Sequence, residues 1–97
     1  MRISTVEAEV PVAENVTVTE DTLSVDLSDG RTISVPLAWF PRLMHGTKKE
    51  RNNWRLTGKG YGIHWEGLGE DISVENLIFG QASRESQSSF KKWLSSR

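Results

Sequence analysis

The sequence predicts an α+β fold, namely a small antiparallel β-meander packed with two or three short helices. Apolar and polar residues alternate in residues 16–19, 23–27 and 31–35, which is the period of half-buried strands. After residue 36 the apolar spacing becomes helical, and five of the eight glycines fall in residues 58–69, where turns are expected. With 97 residues, the chain has room for one modest core.

The loop between the second and third predicted strands follows from their register. A two-residue loop would mix the two faces of the hairpin, whereas a three-residue loop ending at Gly30 places Val25 opposite Ile33 and Leu23 opposite Val35. Such a loop is a type I turn followed by a residue in the left-handed conformation. We therefore expect a positive φ at Gly30.

The first predicted strand joins the second around residues 20–21, and the same rule places Val18 opposite Leu23. Alternation also occurs in residues 6–12, but Pro11 lacks the N–H that an inner strand must donate. We therefore expect that segment to form only an edge strand.

The helix predicted after the third strand carries its apolar residues on one face. Pro41 is tolerated only in the first turn, so this helix either starts near Trp39 or is short and distorted. Thr47 and Glu50 form a capping box, which predicts a second short helix running to about Trp54. Residues 62–65 are predicted to form a short extended segment between glycine turns.

The last part of the predicted domain is a helix over residues 74–79, with Ser73 as its N-cap and Gly80 as its stop. The next segment is polar and rich in serine before apolar residues return at helical spacing. We therefore predict a single α+β domain over residues 1–80, followed in residues 81–97 by a polar linker and a short amphipathic helix.

Charge is strongly segregated, although the net charge is only −1. Residues 1–30 carry seven acids and one base, whereas residues 42–59 carry six bases and one acid. A basic stretch of this density is typical of a phosphate-binding surface, and pairing with the acidic part of the same molecule is the alternative. The candidate nucleic-acid contacts are Lys48, Lys49, Arg51 and Lys59, with Arg42 and Arg55 beside them.

Composition excludes several functional classes. The sequence has no cysteine, so disulfides, thiolate catalysis and cysteine-ligated zinc are excluded. No apolar run approaches the roughly 18 residues that a membrane span needs, and the start lacks the apolar core of a signal peptide. We therefore expect a cytoplasmic protein that contacts no membrane and holds no cofactor.

His64 is the main candidate for chemistry. It precedes Glu66 by two residues, but the cysteine motif that completes a deaminase zinc site is absent. With Glu70 or Asp71, His64 would form an acid–base pair, although a hydrogen-bonded structural histidine is the interpretation that the sequence favours. His45 is the other histidine and is not on the same helix face. We therefore predict no catalytic residue and no metal site.

The four tryptophans form the other notable set. Three of them are expected to cluster where helices meet the sheet, with acceptors for their indole N–H groups in the turn at residues 70–71. The alternative is that part of this cluster lines a cleft for a ligand or partner. The candidate cleft residues are Trp39, Arg42, Trp54, Arg55, His64 and Trp65.

A series of short motifs runs through the chain in a set order: Asp29-Gly30, Pro36-Leu37-Ala38-Trp39, Pro41, Leu43, Asn53-Trp54, Gly62-Ile63-His64-Trp65 and Glu70-Asp71-Ile72-Ser73-Val74. Over about residues 14–80, these motifs resemble the bacterial domain-of-unknown-function family numbered 2442. The resemblance implies a small α+β domain and no particular activity.

Members of that family resemble stand-alone small bacterial proteins. Some lie beside a small partner gene in toxin–antitoxin-like pairs, and some carry a helix-turn-helix domain after this one. The 17 residues that follow Gly80 are too few for such a second domain. The resemblance therefore favours protein interaction over direct reading of a DNA sequence.

The tail carries candidate interface anchors in Phe90, Trp93 and Leu94. Because so short a helix is marginal in water, it must dock on its own domain, on a second copy or on a foreign partner. We expect an intermolecular contact, with self-docking as the alternative.

The predicted function is a non-enzymatic interaction or regulatory module, the antitoxin-like partner of a small bacterial protein. Its expected partner is another protein or a second copy of itself. One alternative is a nucleic-acid-binding domain that uses residues 42–59, and another is a small-molecule-binding domain with a cleft lined by tryptophan and histidine.

Overall fold

Two antiparallel sheets of three strands each form the framework of the chain, whose computed structural model describes residues 10–97. Each strand pairs with its sequence neighbour, so each sheet is a meander. The first sheet contains β1 (Ala13–Val18), β2 (Thr22–Leu27) and β3 (Thr32–Pro36), and the second contains β4 (Trp54–Thr57), β5 (Gly62–Trp65) and β6 (Glu70–Ser73).

Within residues 10–97, four short helices accompany the sheets, so the α+β class is confirmed. They are α1 (Pro41–Met44), α2 (Lys48–Asn52), α3 (Val74–Ile78) and α4 (Gln87–Ser95). Single 3₁₀ turns at residues 37–39, 58–60 and 66–68 connect the larger elements.

The first sheet has the predicted register. Val25 lies opposite Ile33 and Leu23 opposite Val35, while Val18 lies opposite Leu23 across the other ladder. Gly30 has a φ of +93° and donates its N–H to the Leu27 carbonyl. The apolar residues of all three strands therefore face one side, because any other register would place some of them in solvent.

The predicted edge strand at residues 6–12 falls largely outside the described residues. Within the described part, Val10, Pro11 and Val12 are not in a strand, and β1 begins at Ala13. Val12 nevertheless bonds the following hairpin, since its N–H donates to the Ser28 hydroxyl and its carbonyl accepts from the Ser28 N–H.

The second sheet was not predicted from the sequence, except for its central strand β5 over residues 62–65. The predicted second helix also ends earlier than expected, at Asn52, because Trp54 already opens β4. The capping box that starts this helix is confirmed: Thr47 Oγ1 accepts from the Glu50 N–H at 3.1 Å, and the Glu50 carboxylate accepts from the Thr47 N–H at 2.9 Å.

The helix after β3 is short, as the proline predicts. Residues 37–39 form a 3₁₀ turn, and α1 then starts at Pro41, where the missing N–H costs nothing. The N-cap of α3 is confirmed, since Ser73 Oγ accepts from the Asn76 N–H at 3.0 Å, and Gly80 follows with a φ of +72°.

One apolar core is built from the inner faces of both sheets and from the helical segments between them. Trp65 is fully buried at its centre, and Leu68 and Val74 close it from the turn and helix that follow. The other core residues are Ala13, Val16, Leu23, Val25, Leu27, Val35, Leu37, Phe40, Leu43, Ile63, Ile72 and Leu77.

Candidate functional site

A groove of about 190 Å³ separates β6 from the segment 81–84, and we call it the β6 groove. Two backbone hydrogen bonds fix the position of this segment: the Ser83 N–H donates to the Trp39 carbonyl, and the Gln81 N–H donates to the Asn76 carbonyl. Its lining residues are Phe40, Glu70, Asp71, Ile72, Ser73, Asn76, Gln81, Ala82, Ser83 and Arg84.

Within residues 10–97, β6 is an edge strand of its sheet, and its outer edge forms one wall of the groove. The Val74 N–H donates to the Tyr61 carbonyl, which makes these two residues a hydrogen-bonded pair of the ladder with β5. Hydrogen-bonded and non-bonded pairs alternate in an antiparallel ladder, so the pair His64–Asp71 is of the non-bonded type. The backbone N–H and C=O of Asp71 therefore point away from β5.

Glu70 is the buried charged residue of the groove, with 9% of its surface exposed. It lies opposite Trp65 in the ladder and so faces inward from β6. Within residues 10–97, its carboxylate has no hydrogen-bond partner. Burial, followed by repulsion from Glu85, raises the pKa of this carboxyl to about 7 against an attraction from Arg42.

Arg42 forms the ion pair next to this carboxyl. Its guanidinium donates to both carboxylate oxygens of Glu85, with Nη2 to Oε2 at 2.6 Å, and Nη1 donates to the Leu68 carbonyl at 3.0 Å. These hydrogen bonds hold the pKa of Glu85 below its usual range and raise that of Arg42. The pair ties the segment after α3 to α1.

The predicted interface anchors dock on the same molecule in this structure. The Trp93 ring lies between two guanidinium groups, 5.1 Å from Arg42 and 4.7 Å from Arg97. Phe90 stacks on Trp93 and lies 5.2 Å from the ring of His45, while Leu94 stays 39% exposed. No α4 residue is buried, so this helix is held mainly at its charged and aromatic contacts.

His64 lies on the outer face of the second sheet between two carboxylates. Its Nδ1 is 2.8 Å from Asp71 and its Nε2 is 3.2 Å from Glu66, which Arg55 approaches at 3.6 Å. The structure thus pairs His64 with Asp71 rather than Glu70, because adjacent strand residues point to opposite faces. Asp71 therefore holds Nδ1, and the exposed Glu66 carboxylate lies near Nε2.

The six candidate cleft residues do not share one concave surface. Trp54 and Trp65 are cross-strand neighbours on the inner face of the second sheet, whereas Arg55 and His64 are neighbours on its outer face. Trp39 lies in the 3₁₀ turn before α1, and Arg42 is engaged by the tail as described above.

The acceptor for the buried indole is not where the sequence suggested. Trp65 Nε1 donates to the Arg51 carbonyl at 3.0 Å, at the end of α2, and not to the turn at residues 70–71. This turn was expected because it is close in sequence, but Glu70 lies beside the tail and Asp71 faces outward to His64.

Three of the bases in residues 42–59 already contact groups of the same molecule. Arg51 donates to the carbonyls of Leu43 and Met44 at the end of α1, while Arg42 and Arg55 face carboxylates. Exposed lysines remain at Lys48 and Lys49 on α2 and at Lys59 in the turn between β4 and β5.

The partner of Arg42 was not predicted from the sequence, because Glu85 lies in the predicted linker. The signal available was that Glu85 is the one acid in residues 81–97. Within residues 10–97, no group of three or more His, Cys, Asp or Glu side chains is placed to hold a metal ion. In the same described range, no helix is both long and apolar enough to cross a membrane.

Residues 13–83, which contain both sheets and α1 to α3, match the family described as "Protein of unknown function (DUF2442)". The match covers well over half of the chain, so the chain belongs to this family. It ends before Glu85 and α4. No protein of curated function matches the sequence significantly.

Two solved structures share the fold. A protein of unknown function from Rhodospirillum rubrum is 26% identical with a TM-score of 0.67, and the alignment covers 82% of this chain and 96% of that chain. An uncharacterised protein from Chromobacterium violaceum, solved by NMR in solution, is 19% identical with a TM-score of 0.63, covering 84% and 74%. The architecture is therefore shared at low sequence identity.

Proposed function

We propose that this chain is a non-enzymatic interaction module of the bacterial cytoplasm, which acts as the antitoxin-like half of a two-protein pair. In this proposal its partner is a protein that docks over the β6 groove. The two bacterial proteins that share the fold are consistent with a bacterial role, although neither has an assigned function.

The observation that carries the proposal is an exposed aromatic side chain at the end of α3, close in sequence to residues that line the groove. Phe79 is 68% exposed at the end of α3, and in the chain it lies between Asn76 and Gln81, which both line the groove. Exposed aromatic side chains next to a desolvated pocket are typical anchors of protein interfaces.

The state of the best acid–base candidate also supports a non-enzymatic role. The Asp71 carboxylate bonds Nδ1 of His64 and the Glu66 carboxylate lies 3.2 Å from Nε2, so groups of the same molecule lie beside both ring nitrogens in this structure. Nucleic-acid binding is supported less well, because three of the six bases in residues 42–59 already serve internal contacts.

The test is capture from the native host with matched surface variants. Wild type, Phe79→Ser and Tyr61→Ser are immobilised, and captured proteins are quantified by mass spectrometry. Tyr61 is 49% exposed and borders a different cavity, so it is the control. We expect one protein that wild type and Tyr61→Ser retain equally and Phe79→Ser loses. Equal retention by all three variants contradicts the proposed surface.

A further inference from the structure

We infer that the β6 groove receives one cationic side chain of the protein partner, a lysine ammonium or an arginine guanidinium, with the Glu70 carboxylate as its counter-ion. This inference rests on the proposed function, since it names the chemical group by which that partner is recognised.

The first support is the unsatisfied carboxylate. Glu70 lines the groove with only 9% of its surface exposed, and its carboxylate accepts no hydrogen bond from the described residues. Burying a carboxylate without a partner is costly, so buried acids are normally paired or hydrogen-bonded. A cation in the groove supplies the missing partner.

The second support is the balance of charge around Glu70. Glu85 and Asp71 add negative charge, and Arg42 adds positive charge. The donors of Arg42 already face Glu85 and the carbonyls of Leu68 and Gly69. Glu70 and Glu85 thus share one guanidinium, whose donors are committed to Glu85 and to backbone carbonyls.

Arg84 is the cation at the rim of the groove, and it is the natural competitor. It is exposed and contacts the Gln81 side chain at 3.5 Å. Among the described residues it forms no ion pair with Glu70. We therefore expect removal of its charge to strengthen binding of a cation from outside.

The third support is the size and polarity of the groove. Its volume of about 190 Å³ is below the 300–1,000 Å³ of ordinary small-molecule pockets, but suits the end of one side chain. Its lining includes residues with acceptor groups, namely Asp71, Asn76, Gln81 and Ser83. Ammonium and guanidinium groups only donate, so they match a lining of acceptors.

The direct test titrates the protein with methylguanidinium and n-butylammonium chlorides, and with neutral N-methylurea, at matched ionic strength. Amide NMR shifts of Asp71, Asn76 and Ser83 report occupancy. We expect saturable shifts with the cations and none with the urea. Glu70→Gln should bind both cations at least about tenfold more weakly, because it loses one charge-assisted contact. Arg84→Gln should bind more tightly, and the exposed control Glu75→Gln should match wild type.

Absent cation shifts, or unchanged binding in Glu70→Gln, would overturn the site itself. The capture experiment then identifies the source of the cation. If Glu70→Gln loses the protein that wild type retains, the inference is supported. If Glu70→Gln retains it while Phe79→Ser loses it, the inference is wrong and the proposed function stands. If the cations bind but wild type captures no protein, the proposed function is wrong, and the groove binds a free amine instead of a side chain of a protein partner.

Discussion

Replacing Glu70 by glutamine should stabilise the protein at alkaline pH and have little effect at acid pH. The pKa of this carboxyl is raised from 4.5 to about 7, chiefly by burial. Between these values the folded state holds a proton that the unfolded state has already lost. Stability therefore falls as the pH rises through this window, which is the reverse of the usual behaviour of a paired carboxylate.

The magnitude follows from the two pKa values. One pKa unit corresponds to about 1.4 kcal/mol, so the ionised carboxylate costs about 3 kcal/mol of unfolding free energy once the pH exceeds about 7. Glutamine keeps the shape of the side chain without the charge. The difference between Glu70→Gln and wild type should therefore approach this value at about pH 8 and nearly vanish near pH 4.5.

Urea unfolding of both proteins at several pH values measures this difference. Subtracting wild type removes the common effect of the other carboxylates, which also protonate in acid. The control is Glu75→Gln, because Glu75 is exposed on α3 and its replacement should give a small difference at every pH. A Glu70→Gln difference that does not change with pH would refute the argument that burial governs this carboxyl.

Three further outcomes follow from individual contacts. Gly30→Ala should lower stability by about 1 kcal/mol, or Tm by about 5 °C, because alanine disfavours a φ of +93°. Gly67→Ala is the control and should leave stability nearly unchanged, since its added Cβ meets no atom closer than 3.5 Å. Thr47→Ala should cost about 1 kcal/mol in urea unfolding through loss of the capping box. Glu85→Gln should increase hydrogen exchange in α4 and leave exchange in the two sheets unchanged, since its pair with Arg42 holds that helix; equal exchange in α4 would contradict this role.

The register of the first sheet was predictable because its strands are long enough to show a period. Five or six residues give a clear alternation, and of the two- and three-residue loops only the three-residue loop keeps Val25 and Leu23 on the same face as Ile33 and Val35. The position of Gly30 follows from that choice, without any knowledge of the rest of the molecule.

The second sheet was not predictable from the same signal. Its strands have four residues each, so each shows only two alternations. In β6 the alternation is also broken, because the inward position nearest the tail is the charged Glu70. A carboxylate at an inward position suggests a loop unless the fold is already known.

The candidate site depends on contacts between parts of the chain that no local pattern connects. The groove exists because Ser83 bonds to Trp39 and Glu85 to Arg42, across 44 and 43 residues of sequence. Burial of Glu70 follows from that packing, since the residue lies beside the tail segment. Sequence identified the types of these residues, whereas only the folded chain gives their distances.

The pairing of each strand with its sequence neighbour has a consequence for how the chain folds. Turns of a few residues close all four ladders, so little loop-closure entropy is lost before each hairpin gains its contacts. Each meander can then form by itself on the microsecond timescale of hairpins. We expect the association of the two meanders to limit the rate, since Trp65, Leu37 and Leu43 leave water together in that step. Because the hairpin turns are already formed by then, changes in the turns should slow refolding and affect unfolding little, whereas substitutions in the joint core should also speed unfolding.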